Sequence, residues 1–358
     1  MTNVIRLNVP FPRQERGGRL ESLVDSFARH RRGSEDVFWL KENAEVLNIL
    51  ECTGERLAPE ALEPHRAFHD RIEARLGFFP QYYRFLLSLC LDLEDLGIGG
   101  TKGEALAAWV SKQGLAKAEL SDLQRAEARR LTLRRGIDAL PEDTGLTERL
   151  HGFINRSATF AMPNKKAAYE LTHIVFYLSE YGRRDPELSK SALESLEFAG
   201  LLAYLEQNAD LLAEVCVAHR FAGATPSPIW EGWLEGETHR FAAETGPQVN
   251  IHDDYHDYLV CNWAMAVAGK DTFRQALSRG RMAFRRAPAV PGPLRAMSEC
   301  MFHLEDKRSD DWGKMRALVA QRLNADGCEI LSEAEASTAR FAEFFAGFAR
   351  CGMIGVAS

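Results

Sequence analysis

The feature that most constrains this chain is its shortage of strand-forming sequence. Beyond residues 3–9, runs in which β-branched residues alternate with polar ones are nearly absent, and Ala, Leu, Glu and Arg dominate. A half-buried strand needs apolar residues at a period of two, a helix at 3.6. The pattern therefore predicts an all-α fold, in stretches of about 10 to 20 residues each. With 358 residues, 46% of them hydrophobic, the chain can bury the core of one large or two ordinary domains.

Residues 1–35 carry Pro10, Pro12, Gly17, Gly18 and Gly33 around an amphipathic piece at 20–31, and read as an arm that packs onto the body. Helices are then expected over 36–50, 59–76, 80–96, 102–112 and 121–135. Gly77 and the Gly97–Gly100 turn supply stops, and Ser121-x-x-Gln124 resembles a capping box. Pro141-Glu142-Asp143-Thr144-Gly145 marks the best boundary, dividing an N-terminal arm and helical subdomain (1–142) from a larger C-terminal helical domain (143–358). In the second part helices are expected over 147–155, 165–181, 186–206, 208–221, 229–244, 252–268, 271–286, 291–305, 309–323 and 332–349. Links as short as Gln207 imply antiparallel hairpins, stacked as an irregular α-solenoid or an α/α-toroid-like body. No fixed repeat period is visible, which argues against the common helical-repeat signatures.

Charge and composition exclude several functions. The 44 basic and 51 acidic residues leave a net charge of −7, and basic pairs such as Arg129-Arg130 are scattered among acids, so no nucleic-acid partner is expected. There is no run of eighteen apolar residues and no signal-peptide-like apolar stretch near the start, so a soluble cytoplasmic protein without a membrane partner is expected. Seven widely spaced cysteines without a C-x-x-C pair suit reduced thiols. No G-x-S-x-G, P-loop or strand-linked G-x-G-x-x-G is present.

Chemistry concentrates in two segments. In 165–181, KKAAYELTHIVFYLSEY, one helical face carries Ala167, Leu171, Ile174, Val175 and Leu178. The other carries Tyr169, Glu170, His173, Phe176, Tyr177 and Glu180, as the lining of a polar cavity would. Glu170 and His173 stand at i, i+3, the spacing of helical carboxylate metal sites. In 250–258, NIHDDYHDY, His252 and His256 stand at i, i+4 among Asp253, Asp254 and Asp257. First-turn acids complement a helix dipole, but that account does not cover the histidines. His256 also begins an inward stripe with Val260, Trp263 and Val267, so it is a ligand, a general base or a hydrogen-bonded core residue. His219, on the stripe of Leu212, Val215 and Cys216, is a further candidate ligand or a core histidine. His65 and His69, among Arg66, Arg71, Glu73 and Arg75, read as an ordinary salt-bridge face.

The expected function is a metal-dependent enzyme, a hydrolase or lyase in the first instance, acting on a small molecule inside a helical body. His173, His252, His256 and His219 are the candidate ligands for a divalent metal, Zn, Fe or Mn. Glu170 or Asp253 is the further ligand or base, and Tyr177 orients substrate. The alternative is a non-enzymatic helical scaffold that binds a partner protein, its histidines packed and unliganded. A third reading follows from Asp253-Asp254-Tyr255-His256-Asp257, which resembles the D-D-x-x-D motif by which the all-helical isoprenoid synthases and class I terpene cyclases hold magnesium on a diphosphate. That resemblance covers five residues, and Ser309-Asp310-Asp311 does not match the second acidic motif those families carry.

Overall fold

The computed structural model describes residues 15–288 and 290–351; the alternating run at 3–9 lies outside the described residues. The fold is all-α, 65% helix and 2% strand. Among the described residues fifteen helices have nine or more residues: α1 (Arg16–Asp25), α2 (Val37–Cys52), α3 (Tyr83–Leu96), α4 (Lys102–Lys112), α5 (Asp122–Leu133), α6 (Leu146–Ile154), α7 (Lys165–Leu178), α8 (Lys190–Glu206), α9 (Ala209–Phe221), α10 (Pro228–His239), α11 (Tyr255–Val267), α12 (Leu294–His303), α13 (Trp312–Ala320), α14 (Ala325–Ala336) and α15 (Phe341–Ala349). No helix of the described residues is long and apolar enough to cross a membrane.

Helix starts follow local chemistry. The side chains of Asp36, Ser121, Asn164, Ser189 and Asn208 accept hydrogen bonds from first-turn amides of α2, α5, α7, α8 and α9, satisfying donors that the helix itself leaves unpaired. At its other end α3 stops at Gly97, which adopts φ 111°, a left-handed cap that glycine takes without strain.

Four expected helices differ from what forms. The 59–76 stretch breaks into pieces at Pro64, inside the 3₁₀ turn Glu63–His65, because proline cannot donate to the preceding turn. The 332–349 stretch divides around Ser337 and Thr338. The Ser337 hydroxyl donates to the Ala334 carbonyl at 2.7 Å and the Thr338 hydroxyl accepts from the Arg340 amide at 2.9 Å, competing with the helical ladder. The 271–286 stretch is not helical. Its start is held to α1, where Arg16 donates to Thr272 Oγ1 at 2.9 Å and Arg19 to the Phe273 carbonyl at 2.6 Å. Its end is strand β2 (Met282–Arg285), antiparallel to β1 (Ala242–Thr245), with Ala242 opposite Arg285 and Thr245 opposite Met282. The expected helix over 229–244 accordingly ends at His239, where α10 gives way to the chain entering β1.

Helix α9 is the hub. Every residue from Ala209 to His219 is buried, as in a helix with neighbours all round. It packs on α7, α8, α10 and α11, while α2 packs on α3 and α11, and α5 on α3 and α7. One cluster of buried apolar side chains runs from Leu20 to Ala349. Helices α2, α3, α5, α7, α9 and α11 leave between them the cavity described next.

Candidate functional site

The cavity has a volume of about 460 Å³, within the range of small-ligand sites. Each of the six helices contributes side chains: Glu45 from α2, Arg84 from α3, Glu127 and Arg130 from α5, Tyr169, His173 and Tyr177 from α7, Asp210 and Glu214 from α9, and His256 from α11. Phe85, Phe176, Tyr181 and Trp263 form an aromatic wall, with Phe176 edge-on to Trp263 at 4.9 Å between centroids.

The polar end is built on the buried helix α9. Asp210 and Glu214, one turn apart, are carboxylates inside an otherwise apolar stretch, and a buried carboxylate requires partners. Asp210 accepts a 2.5 Å hydrogen bond from the Tyr169 hydroxyl and lies 2.8 Å from His256 Nδ1. As Asp210 accepts only, Nδ1 carries the proton, and Nε2 is turned toward Glu45, whose Oε1 lies 3.8 Å away. Burial alone would push His256 down; the hydrogen bond and charge of Asp210, with Glu45 and Glu214 behind it, outweigh burial and raise it to about 9. Conversely, burial would raise Asp210, but His256 and Tyr169 hold it below the usual carboxylate range. Burial raises the Glu45 carboxyl despite the cations His256 and Lys41.

One turn further along α9, Glu214 accepts 2.6 Å from the Thr172 hydroxyl and stands 3.7 Å from His173 Nε2. Its charge lifts His173 against the effect of burial. The His173 ring lies nearly parallel to Tyr177, centroids 6.0 Å apart. The two histidines sense each other's charge, since His256 counts against protonation of His173.

At the aromatic end the Arg130 side chain is only 5% exposed. Its guanidinium lies 4.6 Å from the Tyr181 ring centroid and donates from Nη1 to Glu180 at 2.9 Å. Its Nε is buried without a partner among the described residues. Glu180 and Tyr181 belong to a strained turn in which three successive residues, Glu180, Tyr181 and Gly182, have φ of 49°, 53° and 83°. For the two residues with side chains that conformation costs roughly 1–2 kcal/mol each. Glycine is required at 182, where a Cβ would lie 2.6 Å from the Phe221 ring.

Of the residues singled out from sequence, His173, His256 and Tyr177 line this cavity, and Glu170, His252, His219 and Asp253 do not. Glu170 is half-buried beside it on α7. His252 is exposed, and its carbonyl accepts from Arg285. His219 is buried against Trp230, with neither ring nitrogen partnered among the described residues. Asp253 faces the interior elsewhere: it accepts two hydrogen bonds from Arg31, at 2.8 and 2.9 Å, and one from the Phe284 amide at 2.7 Å. Asp254 likewise accepts from the Arg286 amide. The first two acids of the D-D-x-x-D motif thus join β2 to the start of α11. Asp257 stays near the cavity group, where burial and the charge of Asp210 raise it to about 6, and ligand atoms of Asp210, His256 and Asp257 lie within 4.8 Å of one another.

Glu45, Asp210, Glu214 and Arg130 are site residues that the sequence motifs do not single out. Asp210 and Glu214 had a signal, two acids at i, i+4 within ADLLAEVCVAH; Glu45 and Arg130, in charged helices, had none. A second group, His69, Cys90 and Glu94, also has ligand atoms within 4.8 Å. There Glu94 accepts from the Lys102 and Gly103 amides and from Arg135, which makes it the cap of α4.

No curated protein and no solved structure matches the chain. Residues 1–351 match the family described as a domain of unknown function, DUF6902, and the chain belongs to that family.

Proposed function

We propose that the cavity is the active site of a metal-dependent enzyme acting on a small molecule, with a divalent cation, Zn, Fe or Mn, held by His256 and Glu45 and faced by His173 and Glu214. The observation that carries this reading is that two imidazole Nε2 atoms in one cavity each stand opposite a carboxylate oxygen, at 3.8 and 3.7 Å. These separations exceed a hydrogen bond. Two ligands about 2.1 Å from one tetrahedral ion stand roughly 3.4 Å apart, so a small closure would bring either pair onto a cation. Asp210 then takes the part that carboxylates usually take behind a ligating histidine, fixing its tautomer and orientation through the other ring nitrogen.

Equilibrium dialysis of the purified protein against Zn, Mn or Fe(II), followed by elemental analysis, tests the reading. The expected result is about one ion per chain, lost in His256→Ala and Glu45→Gln while helical circular dichroism is kept. Retention no greater in the parent than in these variants would overturn it.

One observation favours a second reading. The Tyr169–Asp210–His256 chain has the geometry of an acid–base histidine held by an orienting carboxylate, which works without a metal. It predicts an NMR titration of His256 near 9 that falls toward the ordinary histidine range in Asp210→Asn. Failure of both tests would leave the non-enzymatic scaffold. The diphosphate reading has the least support, because Asp253 and Asp254 are engaged by Arg31, Phe284 and Arg286.

A further inference from the structure

The end of the cavity opposite the histidines holds a buried cation that the proposed chemistry does not use. Arg130 has five N–H donors in a planar fork. Among the described residues its side chain has one hydrogen-bond partner, Glu180, reached through Nη1, and its Nε is buried with none. Leaving such a donor unpaired costs free energy, so an arginine kept in this state calls for an acceptor. The other cations of the wall are not in this state: Arg84 reaches both Glu119 and Glu127, and the Lys41 side chain is 48% exposed, so that water can meet it. Around Arg130 the surfaces are flat and apolar, with the Tyr181 and Tyr177 rings under its guanidinium and Phe176 and Trp263 along the adjoining wall. The strained Glu180–Gly182 turn holds both Glu180 and Tyr181 in place, and strain of this kind concentrates at ligand clamps.

We propose that the cavity accepts an organic acid with a flat apolar body, its carboxylate on the Arg130 fork and its body against Tyr181, Phe176 and Trp263, so that the far end of the molecule lies toward His173 and His256. A planar fork suits a planar two-oxygen acceptor, and aromatic faces suit a flat body. This inference rests on the preceding reading only in taking the cavity as the substrate site; it needs no metal.

Calorimetric binding of 2-naphthoate and of its uncharged isostere 2-naphthamide, in chelator-treated protein, tests it. The acid is expected to bind at least tenfold more tightly than the amide. Arg130→Gln should abolish that preference and Arg130→Lys should keep part of it. Should Arg130→Gln fail to fold, Glu180→Gln serves: removing the competing carboxylate should tighten the acid severalfold and leave the amide unchanged. Equal affinity for the two compounds, no binding of either, an intact preference in folded Arg130→Gln, or an unmoved acid affinity in Glu180→Gln would each overturn the proposal. A preference for the acid in a protein that retains no ion on dialysis would count against the metal alone, and an ion retained without the preference against the anchor alone.

Discussion

Histidine shows how far the surroundings of a single residue decide its chemistry. His65 and His219 are both buried, and burial pushes them down, to about 3 and about 4. His65 is held by Asn43, whose Nδ2 already donates to the Phe27 and Trp39 carbonyls; its Oδ1 must therefore accept from His65 Nε2, at 2.7 Å, and the imidazole is neutral. Both histidines take up protons more readily in the unfolded chain, where the value is 6.5. Their stabilising effect is complete above pH 6.5 and is lost as pH falls toward 4. At pH 5 each should cost about 2 kcal/mol relative to pH 7. Urea midpoints at the two pH values check this: His219→Leu should lose visibly less stability on acidification than the parent, and identical losses would refute the assignment. Their charged sequence neighbours make His65 and His69 look like a salt-bridge face. In fact His65 is wholly buried and His69 nearly so, because the charged neighbours that suggested a surface lie on the opposite side of short, broken helices. Tyr177, His173 and His256 were legible because they lie on helical stripes, whereas Arg130 has charged neighbours on its own helix and is buried by partners from elsewhere.

At the scale of elements, the segment joining β1, β2 and α11 owes its shape to one ion cluster. Arg31, just beyond the π-turn Ser26–His30 that follows α1, is inaccessible to solvent. It meets Glu42 at 2.9 Å, Asp253 at 2.8 Å and the Met282 carbonyl at 2.7 Å, with the rings of Phe27 and Tyr255 about its guanidinium. Removing one member of a buried ion group leaves the other uncompensated, at a cost of about 3–5 kcal/mol. Asp253→Asn should therefore lower the urea unfolding free energy by about 3 kcal/mol or more, whereas the exposed Asp310→Asn should leave it within experimental error. An unchanged midpoint for Asp253→Asn would show that the cluster is dispensable. Helix positions were largely readable, since caps such as Ser121 and Asn208 and the 3.6-residue stripes are local. The strand pair was not: Phe273, Leu277 and Phe284 recur at spacings that also suit a helix, and only contacts with α1 and β1 decide between the two.

For the molecule as a whole, the cavity wall draws, among the described residues, on those from Lys41 to Trp263 and on none after them. The expected division at residue 142 runs between helices that meet at this wall: α2, α3 and α5 precede it, and α7, α9 and α11 follow it. One apolar cluster joins both parts. Helices α12 and α14 instead pack on α8, on a side that lines no part of the cavity. Occupancy of the central chamber would accordingly tie together chain segments far apart in sequence while bypassing the last quarter of the polypeptide. Deuterium uptake followed by mass spectrometry should slow in α2, α5, α7, α9 and α11 when 2-naphthoate is added, and amides between 294 and 349 should exchange at their former rate. Protection spread evenly to the carboxy-terminal helices would mean that α8 transmits what this architecture suggests it insulates.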